Sequence, residues 1–147
     1  MFVVDTNILI YAANEDAPEH LRCRAQLDAW RSRAGAWYLT WGICYEFLRV
    51  TTHRRVMERP LSAAEAWGFL ESVLASPGAS LLIPTARHSA VLTELIERVP
   101  DVRGNLMHDA TTVTLMYEHG ISRIYTRDTD FHRFPEIEPV DPLAIVE

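Results

Sequence analysis

Lysine is missing from this chain: all fourteen basic side chains are arginine. Every mechanism that turns on a lysine falls away with it, including P-loop nucleotide hydrolysis, Schiff-base chemistry and lysine-dependent aspartyl-phosphate chemistry. Cysteine is scarce. Cys23 and Cys44 stand in helix-like apolar contexts without metal-ligand spacing, which excludes a disulfide framework and predicts two reduced structural thiols. No apolar run is long enough to cross a bilayer, and Asp5 interrupts the N-terminal one with no basic stretch before it. Neither a signal peptide nor a membrane span is predicted, and a cytoplasmic location is expected. The six histidines show no pairing of zinc-site spacing. An excess of positive charge is also lacking, since the formal net charge is -6. That sign normally argues against a nucleic-acid binder, but acids belonging to a metal site would have part of their charge cancelled by bound cations.

What the chain does have is acids in apolar company. Met1-Phe2-Val3-Val4 ends abruptly in Asp5, Glu46 lies within Trp41-Gly42-Ile43-Cys44-Tyr45-Glu46-Phe47-Leu48, and Asp128 follows Ile124-Tyr125-Thr126. Asp109 shares a helical face with Leu106, Thr112, Val113 and Met116 by three-and-four spacing. Burying an unpaired carboxylate is costly, so four such placements ask for a shared compensation. A divalent cation is the simplest one. Carboxylate ligands without histidine or thiolate suit magnesium, with manganese as the alternative.

The length of 147 residues, 48% of them hydrophobic, predicts one domain over residues 1–147 with a sizeable core. Short strands are expected at Phe2–Val4, Trp37–Leu39, Leu81–Ile83 and Ser122–Thr126, separated by helices. One helix should run from Pro18 to about Arg33 with Leu21, Ala25, Leu27, Ala29 and Trp30 near one face, stopped by Gly35. Thr40 should cap a helix to about Thr52, and Ser62-Ala63-Ala64-Glu65 is a capping-box pattern. A helix from Thr85 to about Val99 should bury Val91, Leu92, Leu95 and Ile96. Asn105 should cap a helix to about His119, ended by Gly120. Pro135 to Pro142 reads as a surface tail that finishes in a short strand at Leu143–Val146. Alternating short strands and helices give an α/β fold: a short central, mostly parallel sheet with helices on both faces. Ligands in such sheets sit beyond the carboxyl ends of the strands, where Asp5 and Asp128 both fall.

Asp128 and Asp130 compete for one role. Asp128 is nearer the strand end and is the first choice as ligand, while Asp130 would cap the turn or support the site. Thr126, Thr6 and Asn7 are placed to hydrogen-bond an inward carboxylate.

Asp5-Thr6-Asn7, the lone Glu46, Asn105-Leu106-Met107-His108-Asp109-Ala110 and Thr126-Arg127-Asp128-Thr129-Asp130-Phe131, taken in this order, resemble a PIN-domain nuclease of the kind found in VapC-type bacterial toxins. Arg103-Gly104-Asn105 and Phe134-Pro135 resemble one branch of these toxins. The resemblance spans essentially the whole chain. It implies a metal-dependent endoribonuclease, usually a homodimer, held inactive by a cognate VapB-type antitoxin. Residue by residue it carries over Asp5, Glu46, Asp109 and Asp128, with Asp130 at a secondary position. Water activated by metal would cut RNA, with unpaired loops of tRNA or rRNA as the expected target because their bases are splayed. Arg54, Arg55 and Arg103 are the candidate phosphate contacts, and helices carrying Trp30, Trp67 or Phe69 the candidate dimer surface.

Three other readings compete. Haloacid-dehalogenase-like phosphatases also begin with a strand ending in Asp, but they require a lysine and a D-x-D-x-T pattern, whereas position 7 is Asn7. An inactive PIN-fold module that binds RNA or protein would have no need of intact buried acids. A DNA-directed nuclease of similar chemistry is the remaining alternative.

Overall fold

Two buried valines set the fold's axis. The computed structural model describes residues 1–144. β1 (Val3–Val4) lies at the centre of a five-stranded sheet with β2 (Trp37–Thr40), β3 (Ala79–Leu82), β4 (Arg123–Tyr125) and β5 (Glu138–Val140), in the order β3-β2-β1-β4-β5. All four pairings are parallel, with Val3 and Val4 of β1 opposite Ile124 and Tyr125 of β4. The first three crossovers carry paired helices: α1 (Thr6–Ala13) and α2 (His20–Ser32), α3 (Trp41–Thr51) and α4 (Ala63–Leu74), then α5 (His88–Arg98) and α6 (Asn105–Glu118). After β3 the chain reverses direction across the sheet and returns beyond β1. Right-handed crossovers then put helices on both faces and open a crevice between β1 and β4, the switch point where α/β sheets bind ligands.

Local chemistry fixes the helix ends near this crevice. The Thr40 hydroxyl accepts from the Ile43 N–H (3.1 Å) and starts α3, and Ser62 and Glu65 complete the capping box of α4. Gly120, at φ 67°, ends α6, where the Ile121 N–H reaches the Met116 carbonyl (2.9 Å). Phe2, Trp30, Trp37 and Tyr125 pack as one aromatic group, with ring centroids 4.7 Å apart for Trp30 and Tyr125 and 4.9 Å for Phe2 and Tyr125. Cys23 and Cys44 are buried free thiols.

Four expectations are corrected. α2 buries Cys23, Leu27 and Trp30, a stripe of four- and three-residue steps, while Leu21 is 79% exposed and Ala25 lies on the open side. α5 is an outer helix that buries only Leu95, leaving Ile96 48% exposed. Gly104, not Asn105, is the N-cap of α6; its φ of 59° turns the chain into the helix and makes Asn105 the first helical residue. The tail is structural: Glu138–Val140 is the edge strand β5, and its Pro139 sits opposite Ile124. An edge position tolerates a residue with no N–H to donate. The strand expected at Leu143–Val146 is replaced by a turn over 142–144, and its remainder lies outside the described residues.

Candidate active site

Asp5 is nearly sealed at the base of the crevice, and every oxygen of its carboxylate is held. Oδ1 accepts from the Thr6 N–H (2.8 Å), and Oδ2 accepts from the Thr126 hydroxyl (2.7 Å) and Asn7 Nδ2 (3.1 Å). Asp5 thus caps α1 while facing the cluster. Thr126 accepts in turn from Asn7 Nδ2 (3.1 Å) and the Asp128 N–H (2.9 Å), and Asn7 Oδ1 accepts from the Arg127 N–H (3.2 Å). Thr6, Asn7 and Thr126 therefore stitch the end of β1 to the end of β4, positions that the register sets side by side. Burial pushes the Asp5 carboxyl up to about 6, against the pull of the Thr126 and Thr6 bonds and with the charges of Glu46 and Asp128 adding to it.

Above Asp5 opens a cavity of about 650 Å³ lined by Glu46, Asp109, Asp128 and Asp130, with Tyr45, Arg49, Asn105 and His108 around them. Asp109, Asp128 and Asp130 each present a potential ligand atom, and these atoms all lie within 4.8 Å of one another. Among the described residues this is the one such group of three; Glu46 lines the same cavity, and the charges of Asp5 and Glu46 act on Asp109. Asp109 is pushed up to about 7, first by burial and then by the charges of Asp5, Asp128, Asp130 and Glu46, with no hydrogen bond opposing them. Glu46 Oε2 accepts from the Thr6 hydroxyl (3.2 Å) and lies 2.5 Å from His108 Nε2, too poorly aligned for a ring N–H hydrogen bond, while Arg49 approaches its other oxygen at 3.8 Å. Crowded carboxylates, with burial raising the pKa of Asp5 and Asp109 and no cationic partner for Asp109 among the described residues, form a hard-oxygen donor set, which suits a divalent cation of the magnesium class.

The division of labour between Asp128 and Asp130 differs from the sequence expectation in one respect. Asp128 is the turn cap: its Oδ1 accepts from the Asp130 N–H (2.9 Å) and starts a 3-10 turn at Thr129–Arg133. Both aspartates nonetheless reach the cluster.

Comparison with known proteins accords with this geometry. The family model described as PIN domain matches residues 2–137. The chain belongs to the PIN-domain family. Curated relatives of this PIN domain include Ribonuclease VapC25 of Mycobacterium tuberculosis, 32% identical over 142 residues that cover 97% of this chain and 99% of the relative. Ribonuclease VapC37 of the same organism is 33% identical over 146 residues, covering 99% of this chain and all of the relative. Among solved structures, M. tuberculosis VapC20, described as a sarcin-ricin loop cleaving toxin, superposes with a TM-score of 0.63 at 22% identity, over 95% of this chain and 100% of that one. VapBC2 from Rickettsia felis, bound to a promoter DNA fragment, gives 0.65 at 15% identity over 95% and 96%. These two structural likenesses speak for the fold.

The arginines of this PIN domain divide sharply. Arg49, which stands one turn after Tyr45 and Glu46, lines the acid cavity. Arg54 and Arg55 are exposed in the turn beyond the far end of α3 and do not line it, and Arg103 is exposed just before α6. Arg127, although it sits between Thr126 and Asp128, is spent on the fold: it pairs with Glu19 (3.1 Å) and Asp141 (3.4 Å) and stacks 5.8 Å over the Tyr11 ring. Trp30 is a core residue, 2% exposed, and so belongs to no surface. Phe69 stacks on Phe47 at 5.2 Å.

His108 and Arg49 carried only faint sequence signals. Their spacing relative to Asp109 and Glu46 was the available clue.

Proposed function

We propose that this protein is a divalent-metal-dependent endoribonuclease of the VapC toxin type. The observation that carries the reading is the meeting of Asp109, Asp128 and Asp130 within 4.8 Å, beside Glu46 and above a fully hydrogen-bonded Asp5, at the β1/β4 crevice. In this reading Asp109, Asp128 and Asp130 hold the cation, magnesium or manganese. Asp5 and Glu46 complete the negative field, and Asp128 also shapes its own loop. Thr6, Asn7 and Thr126 keep the Asp5 carboxylate fixed, so its charge does not reorganise during reaction. The chemistry supplied by a bound divalent cation is polarisation of a phosphoryl oxygen and acidification of water.

The chain's own residues then orient the strand. Arg49 stands at the cavity wall, where a phosphate oxygen is the natural partner for a guanidinium. No covalent nucleophile is required, and water rather than the RNA 2′-hydroxyl attacks, so the products should carry 5′-phosphate and 3′-hydroxyl ends. A 2′,3′-cyclic phosphate product would overturn this mechanism. Unpaired RNA loops are the proposed substrate, supported by the description of VapC20 as a sarcin-ricin loop cleaving toxin. A VapB-type antitoxin is the proposed partner, supported by the VapBC assemblies among the structural neighbours, and the active species is proposed to be a homodimer.

The test is cleavage of a mixed tRNA and ribosomal-RNA pool by pure full-length protein in Mg²⁺ or EDTA, comparing wild type with Asp5→Ala and Asp109→Ala. Discrete cuts that need both metal and both acids are expected. Cuts that persist in either variant, or no cuts from folded, metal-loaded wild type, reject the reading and favour a binding module.

A further inference from the structure

Beside the acid cavity, the first turns of α3 and the middle of α4 enclose a smaller opening of about 290 Å³ lined by Trp41, Cys44, Tyr45, Leu48 and Trp67. Tyr45 lines both openings. Tyr45 is 68% exposed and Trp41 44%, and neither residue belongs to the hydrophobic core cluster. The three rings form a continuous run: Trp41 lies 6.1 Å from Tyr45 and 6.2 Å from Trp67, the latter pair nearly parallel at 18°. Contiguous exposed aromatic surface of this kind marks a binding site.

The spacing along α3 says what kind. Trp41, Tyr45 and Arg49 recur every four residues, so two aromatics and a cation share one helical face, and Tyr45 and Arg49 of that face line the acid cavity. Arg49 keeps 66% of its side chain exposed, and its one ion pair among the described residues is a long contact to Glu46. Unpaired nucleotides are recognised by this combination, with bases stacked on aromatic rings and the backbone met by arginine. The slot also lies at the lower limit of ligand-pocket volumes, a size for a flat ring rather than a partner's helix.

We infer that the Trp41–Tyr45–Trp67 slot is a nucleobase subsite, in which an unpaired base flanking the scissile phosphate stacks on Tyr45 while Arg49 meets the adjoining backbone. The inference rests on the ribonuclease reading and adds to it a feature that places the strand.

Affinity separates the two claims. Anisotropy of a short fluorescein-labelled single-stranded RNA is measured with the full chain carrying Asp109→Asn, which keeps the probe uncut, and again with the same backbone lacking its bases. Tyr45→Ala should weaken the intact RNA by roughly 5- to 150-fold, the range that alanine substitution under a stacked base produces. Tyr45→Trp should restore binding, and the abasic strand should bind weakly to every variant alike. Since Tyr45 is largely in water, its truncation leaves the core intact, which a thermal melt checks. Equal affinity of the Tyr45→Ala protein for the intact RNA overturns the subsite, and if wild type still cuts RNA the ribonuclease reading survives. A change in sedimentation with unchanged RNA affinity overturns it too and assigns the slot to contact between copies. Wild type that neither binds nor cuts RNA rejects both claims.

Discussion

Helix α6 carries two shielded acids, Asp109 and Glu118, and they live in opposite circumstances. They are nine residues apart, which places them on opposite faces of the helix. Glu118 has no side-chain exposure and accepts from the Thr85 N–H (2.8 Å), the Thr85 hydroxyl (2.7 Å) and His88 Nδ1 (2.6 Å). Burial pushes its carboxyl up, but the His88 and Thr85 bonds outweigh that and leave it below its ordinary value. Asp109 has burial and four neighbouring acids, all acting upward to about 7. A shielded acid with its donors supplied by the fold is part of the scaffold. One surrounded by acids and given no donor among the described residues has its charge left uncompensated by the fold.

The sharpest way to break this contrast is to remove each acid and measure both catalysis and stability. Asp109→Ala should lower RNA cleavage by at least about 10²-fold, as expected when stabilisation of transition-state charge worth several kcal/mol is lost. Glu118→Gln should leave cleavage at saturating metal within about threefold, because the amide oxygen still accepts from Thr85; this tolerance follows from scaffold positions acting through folding. If the two substitutions exchanged outcomes, the assignment of roles on α6 would be wrong.

Stability should run the other way, with a smaller effect. Glu118→Ala strands Thr85 and His88 without their acceptor and should cost about 2–3 kcal/mol in chemical denaturation. Asp109→Ala, measured without metal at alkaline pH, should cost nothing and instead relieve repulsion.

The pH dependence sharpens the same contrast. Asp5 and Asp109 bind their protons more tightly in the folded chain than in the unfolded one, so the stability this confers is complete below the ordinary value of 3.8. It is lost as pH rises through about 6 and about 7. Glu118 has the opposite sign: its contribution is present above the ordinary 4.5 and lost as pH falls. In EDTA the protein should therefore lose on the order of 1–2 kcal/mol between pH 5 and pH 8, a figure reduced for the partial exposure of Asp109. Mg²⁺ should flatten that slope, and Asp109→Asn should flatten its upper part with no metal present. Thermal melts across this range with and without Mg²⁺ provide the check; a slope indifferent to both would mean that no cation answers these acids.

The two acids also differ in how far the sequence reveals them. Asp5, Glu46, Asp109 and Asp128 are legible because each is a charge in a locally apolar segment, and the spacing of strand ends already predicts that Asp5 and Asp128 share an edge. Glu118 passes unnoticed beside His119 and Gly120, since its partners Thr85 and His88 lie 33 and 30 residues away. β5 hides for a related reason: Pro139 disguises a strand whose only signal is the edge that β4 offers it. Periodicity likewise misassigns Leu21 and Ile96, because it gives the apolar stripe of a helix but not how much of that stripe a small sheet can cover.

The arginines repeat the distinction in the opposite charge, and they yield the smallest predicted effect. Arg59 is satisfied by Asp16 at 2.7 Å and Arg127 by Glu19 and Asp141. Arg54 and Arg55 have no ion pair among the described residues, but they stand beyond the far end of α3, away from the acids. On the argument from Asp109, they are unspent charges, and as outer contacts they would touch phosphates well away from the cut. Arg54→Ala together with Arg55→Ala should weaken RNA binding less than about fivefold near physiological salt and leave cleavage at saturating RNA unchanged. The slope of log affinity against log salt should fall by about 0.7 for each phosphate of a single strand that the protein no longer neutralises. Arg49→Ala should show a similar fall in slope and, unlike the double variant, a slower cut, because its guanidinium borders the acids. Should the double variant prove the slower enzyme, the strand must cross the far end of α3, and the stripe of Trp41, Tyr45 and Arg49 would lose its claim to guide it.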